Sequence, residues 1–321
     1  MEPEYKIDPE IDPGFPADGH GAQIAAIFFA ILICASVAYV FGFGRNIQTK
    51  KQNNDLTVVN TPMVLRKIDP FAMISLEAKS AYVWDEQNQK VIFAKNASEI
   101  LPLASIAKIM TANVATESLS PAETISISKE DLAQDGDSGL LLDERWIFRK
   151  LLDFTLAVSS NDGASAIAST ASPVFVDKMN EKAKSLGLSS MLFHNPTGLD
   201  ESLTKSGAYG SAIDVAKLFS YTLQMHPEIF GATRYAQFKT SSLDNFNHTA
   251  VNTYAEINNI PGIIGSKTGF SDLAGGNLAI IYDAGINYPI IAVVLGSTYS
   301  GRFSDIGALV QATNQTLSLQ K

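Results

Sequence analysis

The sequence has little cysteine and little histidine. It contains one cysteine, Cys34, and four histidines among 321 residues, so an intramolecular disulfide is excluded and cysteine usage does not report the redox compartment. No group of cysteine and histidine residues has the spacing of a metal site. We therefore predict no metal and no cofactor, and we expect His194 and His248 to be structural hydrogen-bonding residues.

Positive charge is also scarce. Lysine and arginine total 24 against 33 aspartates and glutamates, which gives a net charge of −9 and a pI near 5.0. A nucleic-acid backbone is bound by clustered positive charge, so this balance argues against nucleic acid as a partner. Hydrophobic residues make up 46% of the chain, which is enough for a large buried core and too many for a disordered protein.

One long apolar run stands out near the start of the chain. Residues 22–43 carry no charge, and their polar residues are Gln23 and Ser36. As a helix this run is about 33 Å long, enough to cross a hydrocarbon core of about 30 Å. The alternative is a cleaved signal peptide, which has a basic start, whereas the first 20 residues here carry six acids and one lysine.

The chain therefore divides into four predicted parts. We predict an acidic tail at residues 1–21, an uncleaved transmembrane anchor at 22–43, a polar linker at 44–71 and one domain at 72–321. Four short apolar runs predict strands, the first two forming a β-hairpin, at residues 81–84, 90–94, 277–282 and 289–295. Apolar residues at helical spacing predict helices at residues 105–117, 146–158, 212–223 and 303–317. Strands at both ends with helices between them predict an α/β domain whose ends share one sheet.

Ser105 and Lys108 form a Ser-x-x-Lys tetrad at the start of a predicted helix. Residues three apart lie on one helix face, so the lysine can take the serine proton if burial or nearby positive charge keeps its amine partly neutral. Tetrads that begin at Ser126, Ser202 and Ser318 also match, and any single match is more simply a surface pair. Ser105 differs because it opens an apolar helix of small residues, where the lysine is partly desolvated.

Two further short motifs follow along the chain. Ser159 and Asn161 come directly after a predicted helix and can point into one cleft from a loop, although a cap for the next helix is an alternative. Lys267, Thr268 and Gly269 are predicted on a strand. There the lysine and threonine can bind a carboxylate, and the glycine leaves room for a ligand along the strand edge. An ordinary strand end is the alternative.

Ser-x-x-Lys, Ser-x-Asn and Lys-Thr-Gly in this order are the signature of β-lactamases and penicillin-binding proteins. From about Ala78 to Gln311 the chain resembles the D-alanyl-D-alanine carboxypeptidase family of low-molecular-weight penicillin-binding proteins. The segments Leu101–Ala112, Phe193–Asp200 and Gly265–Gly275 are similar to three motifs of that family. The resemblance implies a serine β-lactamase-like (DD-peptidase) α/β sandwich, in which helices flank an antiparallel sheet of about five strands beside a helical subdomain.

The same resemblance implies a serine peptidase mechanism. Ser105 is expected to attack the terminal D-Ala-D-Ala amide of a peptidoglycan stem peptide, with Lys108 as the base and Ser159 as the proton relay to the leaving D-alanine. The substrate-binding residues that it implies are Asn161, Lys267, Thr268, Gly269 and Phe270. β-Lactam antibiotics are expected to be covalent inhibitors.

The implied binding roles differ between these residues. Asn161 is expected to orient the substrate backbone, while Lys267 and Thr268 bind its terminal carboxylate. The backbone N–H groups of Ser105 and Phe270 are expected to form the oxyanion hole.

Four residues depart from the family pattern, namely Arg145, Ser160, Phe270 and Ser271. None removes a catalytic group.

A β-lactamase of the commonest class is an alternative to the carboxypeptidase, but it needs a Glu-x-x-Leu-Asn segment that is absent between the second and third motifs. A penicillin sensor without turnover is another, and it normally has more transmembrane structure. A DD-endopeptidase uses the same residues, so the sequence does not separate it from a carboxypeptidase.

The predicted location follows from the chemistry rather than from the charges. Arg45, Lys50 and Lys51 follow the apolar run, and the positive-inside rule alone places the domain in the cytoplasm. Peptidoglycan lies outside the cytoplasm, and large domains are translocated despite flanking charge. We therefore expect a single-pass protein of the bacterial cell membrane with its catalytic domain outside.

Overall fold

A computed structural model describes residues 69–319. The predicted tail, the predicted anchor and most of the predicted linker lie outside these residues. Within residues 69–319, no helix is both long enough and apolar enough to cross a membrane.

The described part of the chain alternates between short strands and helices. Its strands are β1 (Ser80–Asp85), β2 (Lys90–Lys95), β3 (Leu101–Pro102), β4 (Thr124–Ser126), β5 (Arg145–Ile147), β6 (Leu192–Phe193), β7 (Ala208–Gly210), β8 (Gln237–Ser241), β9 (Asn247–Val251), β10 (Ile263–Ser271), β11 (Gly275–Asp283) and β12 (Pro289–Ser297). Its α-helices are α1 (Lys108–Ser118), α2 (Phe148–Val158), α3 (Asn161–Ala171), α4 (Phe175–Ser185), α5 (Ala212–Met225) and α6 (Gly301–Ser318). Single 3₁₀ turns lie at Pro70–Met73, Ala104–Ala107, Asp131–Ala133, Pro227–Phe230 and Ile257–Asn259.

Five strands form one antiparallel sheet in the order β10-β11-β12-β1-β2. The predicted hairpin corresponds to β1 and β2, and the two other predicted strands correspond to β11 and β12. The prediction that both ends of the domain share one sheet is therefore confirmed.

The sheet is covered by helices on both faces because its strands are apolar on both sides. In β12, Ile291 and Val293 pack in the core on the α5 side, whereas Ala292 and Val294 pack in the core on the α6 side. Successive side chains of a strand point to opposite faces, so a continuous apolar run serves two cores. The predicted helices at 212–223 and 303–317 are confirmed as α5 and α6.

Two predicted helices begin later than expected. The helix predicted at 146–158 begins at Phe148, because Trp146 lies in β5 and pairs with Ile125 of β4. The helix predicted at 105–117 begins as a 3₁₀ turn and becomes α-helical at Lys108. In the first case a partner strand about 20 residues away along the chain overrides a local helical pattern.

Helix α1 is the central element of the helical region. Its first eight residues, from Lys108 to Ala115, are all buried, as expected for a helix that has neighbours on every side. It packs against α3, α4 and α5, while the turn before it packs against β10. This packing places Ser105 at the junction between the sheet and the helical region.

Candidate active site

Ser105 lies in the 3₁₀ turn Ala104–Ala107, one turn before α1. Residues three apart are eclipsed in a 3₁₀ turn, so the side chains of Ser105 and Lys108 meet. The Lys108 Nζ and Ser105 Oγ atoms are 2.8 Å apart. Ala104 has a φ of 47°, a left-handed conformation that is uncommon for residues other than glycine.

Lys108 is buried, and each of its three contacts is with an uncharged oxygen. Besides Ser105, its amine donates to Asn161 Oδ1 and to the Thr197 carbonyl, both at 2.7 Å. Burial holds the pKa of Lys108 well below its usual value, and the positive charge of Lys267 lowers it further. A neutral amine has two N–H bonds and one lone pair. If the N–H bonds go to Asn161 and Thr197, the lone pair is left to face the Ser105 hydroxyl.

Ser159 and Asn161 lie on either side of a sharp break between two helices. Helix α2 ends at Val158, and Ser159 takes a left-handed conformation with a φ of 62°. Asn161 is the first residue of α3 rather than a loop residue as predicted, and Ser160 caps that helix by accepting a hydrogen bond from the Gly163 N–H at 2.9 Å. The alternative of a helix cap is therefore realised by Ser160, which leaves the side chains of Ser159 and Asn161 available to the site.

Lys267 lies on β10, the edge strand of the sheet next to the helical region. Its amine donates to Ser159 Oγ and to the Thr268 carbonyl, both at 2.9 Å. Burial lowers the pKa of Lys267 to about 7, with a further contribution from the positive charge of Arg302. The Thr268 hydroxyl lies 2.5 Å from that of Thr253.

Gly269 is required for a reason that differs from the predicted one. A Cβ atom at this position would lie 2.7 Å from the Leu103 carbonyl oxygen and 3.3 Å from the side chain of Ile106. The space beside the glycine is thus filled by the turn that carries Ser105, and it is not free for a ligand. The Gly269 carbonyl accepts a hydrogen bond from Arg302 at 2.8 Å.

The three predicted motifs form two hydrogen-bonded groups, and residues 159–161 contribute to both. Ser105, Lys108 and Asn161 form one hydrogen-bonded group, and Ser159 with Lys267 forms the other. Phe270, the last predicted residue, is half-exposed, and its ring lies edge-on to Tyr299 with the ring centroids 5.0 Å apart.

Comparison with known proteins identifies this arrangement. Residues 67–298 match the family described as D-alanyl-D-alanine carboxypeptidase, a span that includes all three motifs and well over half of the chain. The chain belongs to this D-alanyl-D-alanine carboxypeptidase family.

Individual members of the family are similar at moderate identity. The chain is 34% identical over 231 residues to D-alanyl-D-alanine carboxypeptidase DacF of Bacillus subtilis. This alignment covers 69% of this chain and 58% of that protein. It is 35% identical over 152 residues to a D-alanyl-D-alanine endopeptidase of Haemophilus influenzae, which covers 46% of this chain and 50% of that protein. The alignments therefore span only half or slightly more of these two relatives.

The fold is similar to that of penicillin-binding protein D2 from Listeria monocytogenes, solved in its cefotaxime-bound form. The TM-score is 0.65 at 26% identity, and the match covers 74% of this chain and 98% of that chain. This likeness confirms the predicted α/β DD-peptidase fold.

Three residues that contact the site were not among its predicted residues. The Thr197 carbonyl contacts Lys108, the Thr253 hydroxyl contacts Thr268, and Arg302 contacts Gly269. Thr197 lies in a segment that the family resemblance already marked. Thr253 and Arg302 have no local signal, because their roles depend on the packing of the segment before β10 and of α6 against the sheet.

We predict that Lys267→Met has a higher free energy of unfolding than the wild type. This gain in stability should be larger at pH 7 than at pH 10. The pKa of Lys267 is about 7 in the folded protein and about 10.4 in an unfolded chain. Between these values the unfolded state binds more protons, so the stability of the wild type rises with pH. Methionine does not titrate, so the variant lacks this contribution to the pH dependence of the free energy of unfolding.

Urea unfolding at the two pH values measures the effect. The advantage of the variant is expected to fall by about 3 kcal/mol from pH 7 to pH 10. An advantage of equal size at both pH values would show that the folded protein does not hold Lys267 with a lowered pKa.

Proposed function

We propose that this protein is a membrane-anchored serine D-Ala-D-Ala carboxypeptidase, which removes the terminal D-alanine of peptidoglycan stem peptides through an acyl-enzyme on Ser105. The observation that carries the proposal is the 2.8 Å contact between the Lys108 amine and the Ser105 hydroxyl. Membership of the D-alanyl-D-alanine carboxypeptidase family supports the same reaction.

Lys108 is the proposed base for acylation. The Ser105 oxygen forms a bond to the carbonyl carbon of the scissile amide, and the Ser105 proton passes to the Lys108 amine. The lowered pKa of Lys108 supports this role because a base must be unprotonated before it acts. The backbone N–H groups of Ser105 and Phe270 are the proposed donors to the oxyanion.

Ser159 is the proposed relay to the leaving group. When the tetrahedral intermediate collapses, the C–N bond breaks, and the proton that Lys108 accepted passes through the Ser159 hydroxyl to the nitrogen of the leaving D-alanine. The 2.9 Å contact between Ser159 and Lys267 supports this route, because it holds the Ser159 hydroxyl beside the amine that is proposed to bind the carboxylate of the leaving D-alanine. Water then attacks the ester carbonyl and gives its proton to Lys108, which returns it to the Ser105 oxygen as the ester bond breaks.

The remaining predicted residues are proposed to bind the substrate. Lys267 and Thr268 bind its terminal carboxylate by charge and hydrogen bonding, and a bound carboxylate raises the pKa of Lys267, which favours the charged amine. Asn161 orients the substrate backbone beside the nucleophile. Gly269 lets β10, with Phe270, approach the turn that carries Ser105.

β-Lactam antibiotics are proposed as covalent inhibitors of the same serine. The Listeria protein with this fold was solved with cefotaxime. In residues 69–319, the hydrogen-bond partners of Lys108 and Lys267 are hydroxyl, amide and carbonyl oxygens. No carboxylate contacts either amine in this part of the chain, so we expect slow hydrolysis of a β-lactam acyl-enzyme.

We predict that the protein releases free D-alanine from a peptide that ends in D-Ala-D-Ala, and that Ser105→Ala abolishes both this release and covalent labelling by benzylpenicillin. Ser126→Ala and Ser202→Ala are matched controls, because both serines begin a Ser-x-x-Lys tetrad outside the site. D-Alanine release and intact protein mass are the measurements.

The same assay with a crosslinked peptide dimer tests the endopeptidase alternative. Some relatives are named endopeptidases, so this activity has a specific observation in its favour. Cleavage of the dimer without release of D-alanine from the monomeric peptide would replace carboxypeptidase by endopeptidase in the proposal. Covalent labelling of Ser105→Ala would contradict the assignment of the nucleophile.

We predict that Lys267→Ala lowers kcat/KM for the free-carboxylate peptide by about 10- to 150-fold, the range expected for loss of a charge-assisted hydrogen bond. The C-terminal amide of the same peptide has no carboxylate to bind. It should be a poor substrate of the wild type and should lose little on mutation. Equal losses for the acid and the amide would contradict binding of the substrate carboxylate by Lys267.

The proposed location is the bacterial cell membrane, with the anchor at residues 22–43 and the catalytic domain outside the cytoplasm. The nature of the proposed substrate supports this orientation, whereas the flanking charges favour the opposite one. We predict that a reporter fused after Lys321 is active only if it is of a type that requires export. Activity of a cytoplasm-only reporter at this position would contradict both the orientation and the peptidoglycan substrate.

A further inference from the structure

A short loop, residues 135–139, borders the active site on the side of Ser159 and Asn161. Gly136 and Gly139 have positive φ values of 92° and 79°, so both positions favour glycine. Between this loop, residues 158–161 and β9 lies a pocket of about 350 Å³. A substrate whose reacting carbonyl lies near Ser105 therefore has an adjoining pocket, and this loop forms one of its walls.

The loop is attached to α3 at two points. The Asn161 side-chain amide donates to the Asp135 carbonyl at 2.6 Å, while its oxygen accepts from Lys108. Ser138 Oγ lies 2.7 Å from Ser160 Oγ and 3.2 Å from Asp162 Oδ2. The same helix start that holds Lys108 thus also holds the loop.

The hydroxyl protons of this cluster have one consistent arrangement. Ser160 Oγ already accepts from the Gly163 N–H, and the Asp162 carboxylate can only accept when it is ionised. All the contacts are satisfied when Ser160 donates to Ser138 and Ser138 donates to Asp162. Ser138 is therefore the one side chain that connects the loop to both buried groups.

The hydrogen bond between Ser138 and Asp162 is energetically important because the Asp162 carboxylate is buried. The residue is only 3% exposed, and its Oδ1 atom has no hydrogen-bond partner among the described residues. Burial raises the pKa of Asp162, and hydrogen bonding from Ser138 opposes that rise. Without the Ser138 hydroxyl, the side-chain hydrogen bond to this buried carboxylate is lost. Displacement of the loop would then admit water to solvate it.

We propose that Ser138 is a positioning residue for the peptidase reaction, which holds the 135–139 loop against Ser160 and Asp162 and so fixes the wall of the substrate pocket beside Ser159 and Asn161. This inference rests on the proposed function and deepens it, since it names a determinant of peptide binding. Ser160, one of the departures from the family pattern, supplies the hydroxyl that Ser138 requires.

Ser138→Ala in the full-length protein tests the proposal. We expect kcat/KM for a D-Ala-D-Ala peptide to fall by about 5- to 20-fold, mainly through KM, because the pocket wall is lost while the contact between Ser105 and Lys108 remains. Hydrogen exchange of the amides of residues 135–139 should become faster, with little change in Tm. Ser138→Thr keeps a hydroxyl and should restore both properties.

Two further variants separate this role from a general loss of stability. Ser160→Ala also removes the cap of α3, so it should lower the Tm as well as raise KM, and adding Ser138→Ala should change KM little more. Ser120→Ala, at an exposed serine whose hydroxyl accepts only a weak 3.4 Å contact from the Ala122 N–H, is the control that should change neither property.

The possible outcomes are distinct. An inactive wild type would refute the proposed function. An active wild type with unchanged KM in Ser138→Ala would refute the positioning role alone, whether or not the loop exchanges faster. Fully additive effects of Ser138→Ala and Ser160→Ala would also overturn it.

Discussion

The buried amine of Lys108 is the constraint on which the rest of the site depends. Removal of an ammonium group from water costs several kcal/mol, and the three oxygens that accept from the Lys108 amine are uncharged. The negative charge of Asp162 opposes the lowering of the Lys108 pKa but is outweighed by burial and by Lys267. The neutral amine is therefore favoured, which is the form that accepts a proton. The turn with Ser105, the start of α3 with Asn161 and the segment with Thr197 must converge for this geometry to exist.

A second buried amine makes the site electrostatically unusual. Burial lowers the pKa of both amines, and the positive charges of Lys267 and Arg302 further lower the pKa of Lys108 and of Lys267, respectively, so each amine has a cationic neighbour that disfavours its own charge. Without an anion nearby, protonation of both lysine amines at once is therefore unfavourable. The proposed binding of a substrate carboxylate would reverse this preference, because a carboxylate beside Lys267 and protonation of its amine favour each other.

The edge of the sheet brings the two amines together. Among residues 69–319, no strand pairs with the outer side of β10, and Gly269 allows the backbone of β10 to lie directly against the turn that carries Ser105. Arg302, in the first turn of the last helix, donates to the Gly269 carbonyl from the other direction. The last helix thus supports the turn that carries Ser105, although the two are far apart in the sequence.

The sequence by itself determined the features that depend on local spacing. The i, i+3 separation of Ser105 and Lys108 dictates that their side chains meet in any helical turn, and continuous apolar runs such as β12 predict strands buried on both faces. The family motifs around these residues predicted the antiparallel α/β fold.

Only the tertiary structure decided where contact with a distant partner overrides a local sequence pattern. Trp146 pairs in a strand instead of starting a helix, the space beside Gly269 is filled by Leu103, and Arg302 and Ser138 act through residues on other elements. The reason is physical, because periodicity reports which face of an element is buried, and it carries no information about which distant atoms that face meets.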